Sequence, residues 1–260
     1  MNIKNLAKSL FGIGNIKLVK SLFLSQKERR DLVSRRIFYS QFLQPNSVFY
    51  DIGANFGNRI EAIIDTDITI IAVEPQVECI KFLRKKFGNK IILLQNGLGS
   101  KKEIMKMHIA PNANILSSFS TEWINSTKKS GRFDNIKWSE TRDVEMITLD
   151  YLIEVYGKPD FVKIDVEGFE LEVLKGLSQP VNMMSIEYTV PENVQALLDC
   201  LYYLNELYNS KIEFNYCITE NMKFALPNWI NYSSILDLIR NENFLNTQFG
   251  DIYVRYTFNS

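Results

Sequence analysis

The sequence predicts an α/β fold, a doubly wound and mostly parallel sheet with helices on both faces. Three observations carry that expectation. Beyond Pro45, short β-rich runs alternate with helical stretches. The first of these runs passes straight into a glycine turn that opens a helix. The 260 residues, 46% hydrophobic and 23% charged, have the composition of an ordinary globular chain, and they contain no internal repeat or low-complexity linker.

Taken in order, residues 1–36 carry nine basic side chains against Glu28 and Asp31. Leu6, Leu10, Ile13, Leu18, Leu22 and Phe23 recur there at helical spacing, interrupted by Gly12 and Gly14, so the segment reads as a basic amphipathic helical extension. It suits a packing lid or weak contact with an anionic membrane surface. The remaining residues, 37–260, form the main domain. Strands are expected at 47–52, 68–73, 90–95, 160–164 and 183–189, with crossover helices between them. Ile60, Ile63 and Ile64 share one helix face, and Val77, Ile80, Leu83 and Phe87 another, which Gly88 terminates after Arg84, Lys85 and Lys86. Extra strands at 103–109 and 143–147 flank a polar, tryptophan-containing stretch at 111–141. That stretch is too long for a simple connection, so about 103–147 reads as an insertion on the substrate side. A helix at 192–208 and strands near 212–217 and 251–256 complete the chain.

Equal numbers of acidic and basic residues, 30 of each, give no overall field to attract a polyanion, so no nucleic-acid partner is expected. Cys79, Cys200 and Cys217 are dispersed and His108 is the single histidine, which disfavours both a zinc site and a disulfide scaffold. His108, between Met107 and Ile109 on an expected strand, reads as structural. No apolar run approaches a membrane span, and Lys4, Lys8, Lys17 and Lys20 interrupt any leader-like core, so the expected compartment is the cytoplasm.

The chemistry concentrates at strand ends. Val48 to Ile52 leads into Gly53-Ala54-Asn55-Phe56-Gly57-Asn58, a G-x-x-x-G turn with Asp51 at the end of the strand. A dinucleotide turn uses three glycines for a pyrophosphate; an acid at this place suits a cationic, zwitterionic ligand instead. Glu74 ends the next strand, 23 positions after Asp51, where a carboxylate can accept hydrogen bonds from ribose hydroxyls. Gln95, Asn96 and Gly97 end the third strand as an edge for adenine, or as an ordinary turn. The run 160–170 holds Lys163, Asp165, Glu167 and Glu170. Ligands of open α/β sheets bind beyond the carboxyl ends of the strands, so Asp51, Glu74, Asp165 and Glu167 are expected to converge. Glu170 also reads as an acid favoured in a first helical turn, and Lys163 is set aside as pointing elsewhere along the strand.

These residues resemble the FkbM family of S-adenosylmethionine-dependent methyltransferases. The resemblance rests on Phe49-Tyr50-Asp51-Ile52-Gly53-Ala54-Asn55-Phe56-Gly57, Val73-Glu74-Pro75, Gly97-Leu98-Gly99, Thr148-Leu149-Asp150 and Phe161 through Glu170. It extends over roughly 36–256, and it departs from the family at Ser100, where an acid is often found. It implies a class I methyltransferase sheet, S-adenosylmethionine as cofactor, and O-methylation of a sugar or secondary-metabolite hydroxyl. On this reading Asp51, Gly53, Ala54, Asn55, Gly57, Asn58, Glu74, Gln95, Asn96, Gly97 and Asp165 bind the cofactor.

Methyl transfer from a sulfonium to a hydroxyl requires alignment and a base, and Asp165 and Glu167 are the candidate catalytic carboxylates. A divalent cation would suit such an oxygen-rich group, but nothing in the sequence supplies a full ligand set, so no metal ligand is assigned. Within the insertion, Ser117, Ser118, Trp123, Arg132 and Trp138 suit a sugar face and its hydroxyls, the tryptophans reading equally as anchors of a long loop. The acceptor is thus expected to be a small molecule or a glycan. The rival readings are a methyltransferase acting on a macromolecule and a binding module that keeps the fold without turnover.

Overall fold

The computed structural model describes residues 25–257. The apolar spacing of 1–24 lies outside the described residues. The first element is a helix, α1 (Gln26–Tyr39), opened by a capping box in which Ser25 accepts from the Glu28 amide and Glu28 accepts from the Ser25 amide. Phe38 and Tyr39, at its far end, are buried.

The chain then alternates as expected: β1 (Val48–Ile52), α2 (Asn58–Ile63), β2 (Thr69–Val73), α3 (Val77–Phe87) and β3 (Ile92–Leu94). Next come β4 (Gly97–Leu98), β5 (Ile104–Ile109), α4 (Thr121–Lys129), β6 (Glu140–Ile147), α5 (Leu149–Tyr156) and β7 (Phe161–Ile164). The chain ends with α6 (Glu170–Lys175), β8 (Met183–Thr189), α7 (Val194–Leu207), β9 (Ile212–Ile218), α8 (Tyr232–Ile239), α9 (Glu242–Leu245) and β10 (Phe249–Tyr256).

Seven strands form the main sheet in the order β3-β2-β1-β7-β8-β10-β9. All neighbouring pairs from β3 to β8 are parallel, and β10 runs antiparallel to both β8 and β9. The order turns back beside β1, leaving the crevice between β1 and β7 open at their carboxyl ends. A smaller sheet, β4-β6-β5, carries the insertion. The third main strand is shorter than expected because 88–90 forms a turn of 3-10 helix after Gly88.

Strand alternation sorts side chains into two cores. Tyr50, Ile52, Val162, Ile164, Met184 and Ile186 pack against α5, α6, α7 and α8. Phe49, Phe161, Met183, Ile70 and Tyr253 pack on the other face against α1, α2 and α3, through Phe38, Tyr39, Ile60, Ile63, Phe82 and Leu83. The result is a three-layer sandwich whose second face ends, at the carboxyl edge of the sheet, in polar residues. No helix among the described residues is long and apolar enough to cross a membrane.

Candidate active site

The β1 turn is built from backbone. Gly53 and Ala54 both donate to the Val73 carbonyl, which ties the turn to the end of β2. Gly53 has φ +79, and a Cβ there would stand 1.8 Å from the Asp165 carbonyl oxygen, so glycine alone lets β1 and β7 close at this height. Asn55 continues the left-handed turn at φ 49, and Gly57, at φ 74, is the residue from which α2 starts.

Asp51 is 2% exposed, and its Oδ2 has no hydrogen-bond partner. Burial pushes its carboxyl up to about 6, even with Lys163 and Arg59 nearby. Glu74 accepts from the Asn55 amide at 2.9 Å and the Gln76 amide at 2.8 Å. Burial nonetheless raises it to about 7. Two carboxyls thus face a turn of close-packed backbone, one of them with an oxygen left over. This matches a ligand that brings an ammonium or sulfonium charge and hydroxyl donors, so the residues fit S-adenosylmethionine.

The β7 end supplies the second cluster. Register places Asp51 opposite Lys163, Lys163 opposite Ser185, and Ser185 opposite Tyr253, one continuous row across four strands. Lys163 therefore points into the site, which corrects the expectation from sequence: residues two apart share a strand face, and Lys163 lies two before Asp165. Its Nζ is 2.5 Å from Asp165 Oδ2 and 3.9 Å from Asp251 Oδ1, and its side chain is 2% exposed. Burial alone would raise the Asp165 carboxyl, but Lys163 outweighs it and holds the group below the usual carboxylate range. Glu167 and Glu187 move the other way, pushed well up by burial and by the charge on Asp165.

Oxygens of Asp165, Glu167 and Glu187 lie within 4.8 Å of one another, the one group among the described residues whose spacing could surround a cation. The positive charge already beside Asp165 is that of Lys163, and nothing further in the cluster points to a metal. Glu170 accepts from the Val166 and Gly168 amides and so pins the loop that presents Glu167, itself at φ 55. Gly168, at φ +85, is packed so closely beneath Trp123 that a Cβ would come within 2.3 Å of it.

One cleft of about 1010 Å³ joins these parts. It gathers Asp51, Gly53, Ala54, Asn55, Asn58, Glu74, Asn96, Gly97, Asp165 and Glu167, and it also takes in Ser117, Trp123 and Arg132 from the insertion. Four of the expected residues do not reach its wall. Gln95 is exposed beyond the end of β3, and Gly57 is turned toward Leu83 and Phe87. Ser118 is fully buried and donates to the Glu167 carbonyl at 2.6 Å. Trp138 donates from Nε1 to the Leu116 carbonyl at 2.7 Å, its ring edge-on to Trp123. Ser117 and Arg132 line the cleft with their polar groups already engaged, Ser117 by the Ala110 amide and Arg132 by Glu192 and the Val190 carbonyl.

Sequence reasoning missed Glu187, Asp251, Arg59 and Glu220, all on the wall. Glu187 had a signal, an acid near the end of a parallel strand like Asp51 and Glu74. Asp251 had none, because its place beside Glu187 follows from the antiparallel register of β10.

The model of the methyltransferase FkbM domain matches residues 51–223, more than half of the chain. The chain belongs to the FkbM methyltransferase family. Its expected class I sheet is the one described above. Hexuronic acid methyltransferase AglP of Haloferax volcanii is 29% identical over 166 residues, a match covering 60% of this chain and 62% of that protein's length. Among solved structures, the TehB-like SAM-dependent methyltransferase of Corynebacterium glutamicum aligns over 98% of this chain and 97% of its own, at 6% identity and a TM-score of 0.48. The plantazolicin methyltransferase BpumL in complex with SAH aligns over 97% and 94%, at 12% identity and a TM-score of 0.42.

Proposed function

We propose that this protein is an S-adenosylmethionine-dependent O-methyltransferase acting on a hydroxyl of a sugar, glycan or related small metabolite. One observation carries the reading: the glycine turn with Asp51 and Glu74, and the Asp165-Glu167-Glu187 cluster, open into the same cleft. The family supports methyl transfer, and the similarity to a hexuronic acid methyltransferase supports a sugar acceptor. The transferase unit of this reading is 37–260, with about 103–147 as an insertion that brings Ser117, Trp123 and Arg132 to the cleft wall.

When bound, S-adenosylmethionine supplies an electrophilic methyl group on a sulfonium. Asp51, Gly53, Ala54, Asn55 and Asn58 would hold the methionine end, Glu74 the ribose, and Asn96 with Gly97 the adenine side. The chain itself has two tasks. It orients the acceptor oxygen, and positioning of this kind supplies roughly 7–11 kcal/mol in well-aligned reactions. It also takes up the hydroxyl proton, a contribution of about 10²–10⁴ in rate. Glu167 suits the second task, since it lines the cleft and burial and the neighbouring Asp165 charge raise its proton affinity against the opposing charge of Lys163. Lys163 acts through Asp165: by keeping that carboxylate ionised and fixed, it maintains the field that makes Glu167 basic.

Calorimetric titration with S-adenosylmethionine, S-adenosylhomocysteine and NADH tests the assignment. Binding of the first two and not the third is expected. A folded protein that binds none of them would favour a module that has kept the fold and lost the chemistry.

A further inference from the structure

The cleft is longer than the cofactor residues require. Past Lys163 and Asp251 it continues between α1, Arg59 at the start of α2, and the loop after β9, where Asp31, Arg35, Glu220 and Asn221 form its wall. Glu220 sits between two arginines, with Oε2 2.7 Å from Arg35 Nη2 and Oε1 3.4 Å from Arg59 Nη2. Arg59 also stands 3.7 Å from Asp251.

The donors here outnumber the acceptors they meet. Nε and Nη1 of Arg59 and Nε of Arg35 are buried and have no hydrogen-bond partner, although the Arg59 side chain is only 7% exposed. Buried guanidinium groups are normally satisfied, so unspent donors on two residues that line the cleft point to a ligand that brings oxygen acceptors. The charge balance narrows the ligand further. Glu220 and Asp251 already neutralise the two arginines, and along the same wall Glu28, Asp31 and Asp51 outnumber Lys27. Burial would raise Glu220, but Arg59 and Arg35 together hold it below the usual carboxylate range, so it stays ionised as an acceptor. A carboxylate or phosphate gains little here. A neutral polyol fits, because each hydroxyl can accept from a guanidinium and donate to Glu220.

We propose that the α1 end of the cleft is the acceptor subsite, in which Arg35, Arg59 and Glu220 bind adjacent hydroxyls of a sugar ring. The proposal rests on the sugar O-methyltransferase reading, and it moves acceptor recognition from the insertion to the junction of α1, α2 and the loop after β9. The insertion side chains expected to serve are mostly committed elsewhere, as the engagements of Ser118, Arg132 and Trp138 show.

Saturation-transfer NMR on the full chain with saturating S-adenosylhomocysteine tests it. The probes are methyl α-D-glucopyranoside, methyl α-D-galactopyranoside, methyl α-D-mannopyranoside and methyl α-D-glucuronide. Arg35→Gln and Glu220→Gln are the variants of choice, because both residues reach solvent and Arg59 does not. The wild type should bind at least one neutral glycoside, and each variant should weaken that binding about tenfold or more while S-adenosylhomocysteine affinity stays within about twofold. The subsite is overturned if the wild type binds no glycoside, if the variants bind like wild type, or if the loss is confined to the glucuronide. It is equally overturned if glycoside and S-adenosylhomocysteine weaken together, which would assign the arginines to the cofactor. S-adenosylhomocysteine binding to the wild type reports separately on the methyltransferase reading.

Discussion

The two ends of the cleft are built from different material. At the glycine-turn end, the wall comes from one contiguous strand end, turn and helix start, 51–58, wound around a backbone that leaves no room for a Cβ at Gly53, with Glu74 added from the adjacent strand. At the acid end, it is side chains from β7, β8, β10 and the loops after β7 and β9, brought together only by register. Backbone surfaces tolerate side-chain change and cannot tolerate a misplaced Cβ, whereas side-chain clusters can be retuned one charge at a time. The first end is therefore suited to a fixed cofactor and the second to chemistry and acceptor choice.

The largest effect should come from breaking the backbone end. Gly53→Ala puts a methyl group 1.8 Å from the Asp165 carbonyl and strains a φ of +79, so the two strand ends must separate. Loss of S-adenosylhomocysteine binding and about 3 kcal/mol or more of stability are expected from the clash and the strain together. Calorimetry and urea denaturation would measure the two losses, and near-wild-type binding would refute the close approach of β1 and β7.

The acid end should respond by degrees. Lys163→Met removes the ammonium beside Asp165, and turnover should fall by about two orders of magnitude if Glu167 depends on that field. The pH profile separates this role from a structural one. Lys163 holds Asp165 down, so its loss raises the Asp165 carboxyl, removes the charge that raises Glu167, and moves the acidic limb of the kcat profile, which Glu167 sets, to lower pH. A variant with lower kcat but an unmoved limb would reduce Lys163 to a packing residue.

These two experiments also mark what the sequence made legible. Asp51, Gly53 and Glu74 could be placed because their relation is local: a strand end, a turn and the next strand end. The convergence of Asp165 and Glu167 on them followed from the parallel order alone. Lys163 was misplaced at a step where strand alternation, applied to Lys163 and Asp165, gives the right answer. Asp251 and the Arg59-Glu220 contact were out of reach, since they depend on how β9 and β10 pair and on how the loop after β9 meets the start of α2. In the insertion, α4 was readable and was not assigned. Ser120 caps it, Glu122 lies in its first turn, and Lys128 and Lys129 lie in its last.

The carboxyls of the cofactor end give a smaller effect that needs no variant. Asp51 is raised to about 6 and Glu74 to about 7, both chiefly by burial. Between the unfolded value near 4 and these folded values, the native state binds more protons than the unfolded one, so stability falls as pH rises through that window. The Tm of the cofactor-free protein should drop by roughly 5 °C from pH 5 to pH 8. A flat or rising Tm would mean that these carboxyls are solvated, and the cofactor end would lose its claim to be a dry pocket.

The smallest effect belongs to Trp138, and it bears on how the insertion relates to both ends. If the indole served as a sugar platform, Trp138→Phe would keep a flat ring in place and still cost acceptor affinity through the changed face. The structure instead gives the ring an edge-on contact with Trp123 at 6.3 Å, Lys128 Nζ 5.0 Å from its centroid, and an Nε1 hydrogen bond to Leu116, with no share in the cleft wall. Phenylalanine keeps most of the packing and loses that hydrogen bond, so a stability loss of about 1 kcal/mol is expected, a Tm change of about 2–4 °C at this chain length. The KM for any acceptor that wild type methylates should stay within about twofold, because loosening one anchor of a loop held also by Trp123 and Gly168 leaves the reacting groups in place. A severalfold rise in KM with Tm unchanged would reverse the assignment and return the insertion to the acceptor side of the cleft.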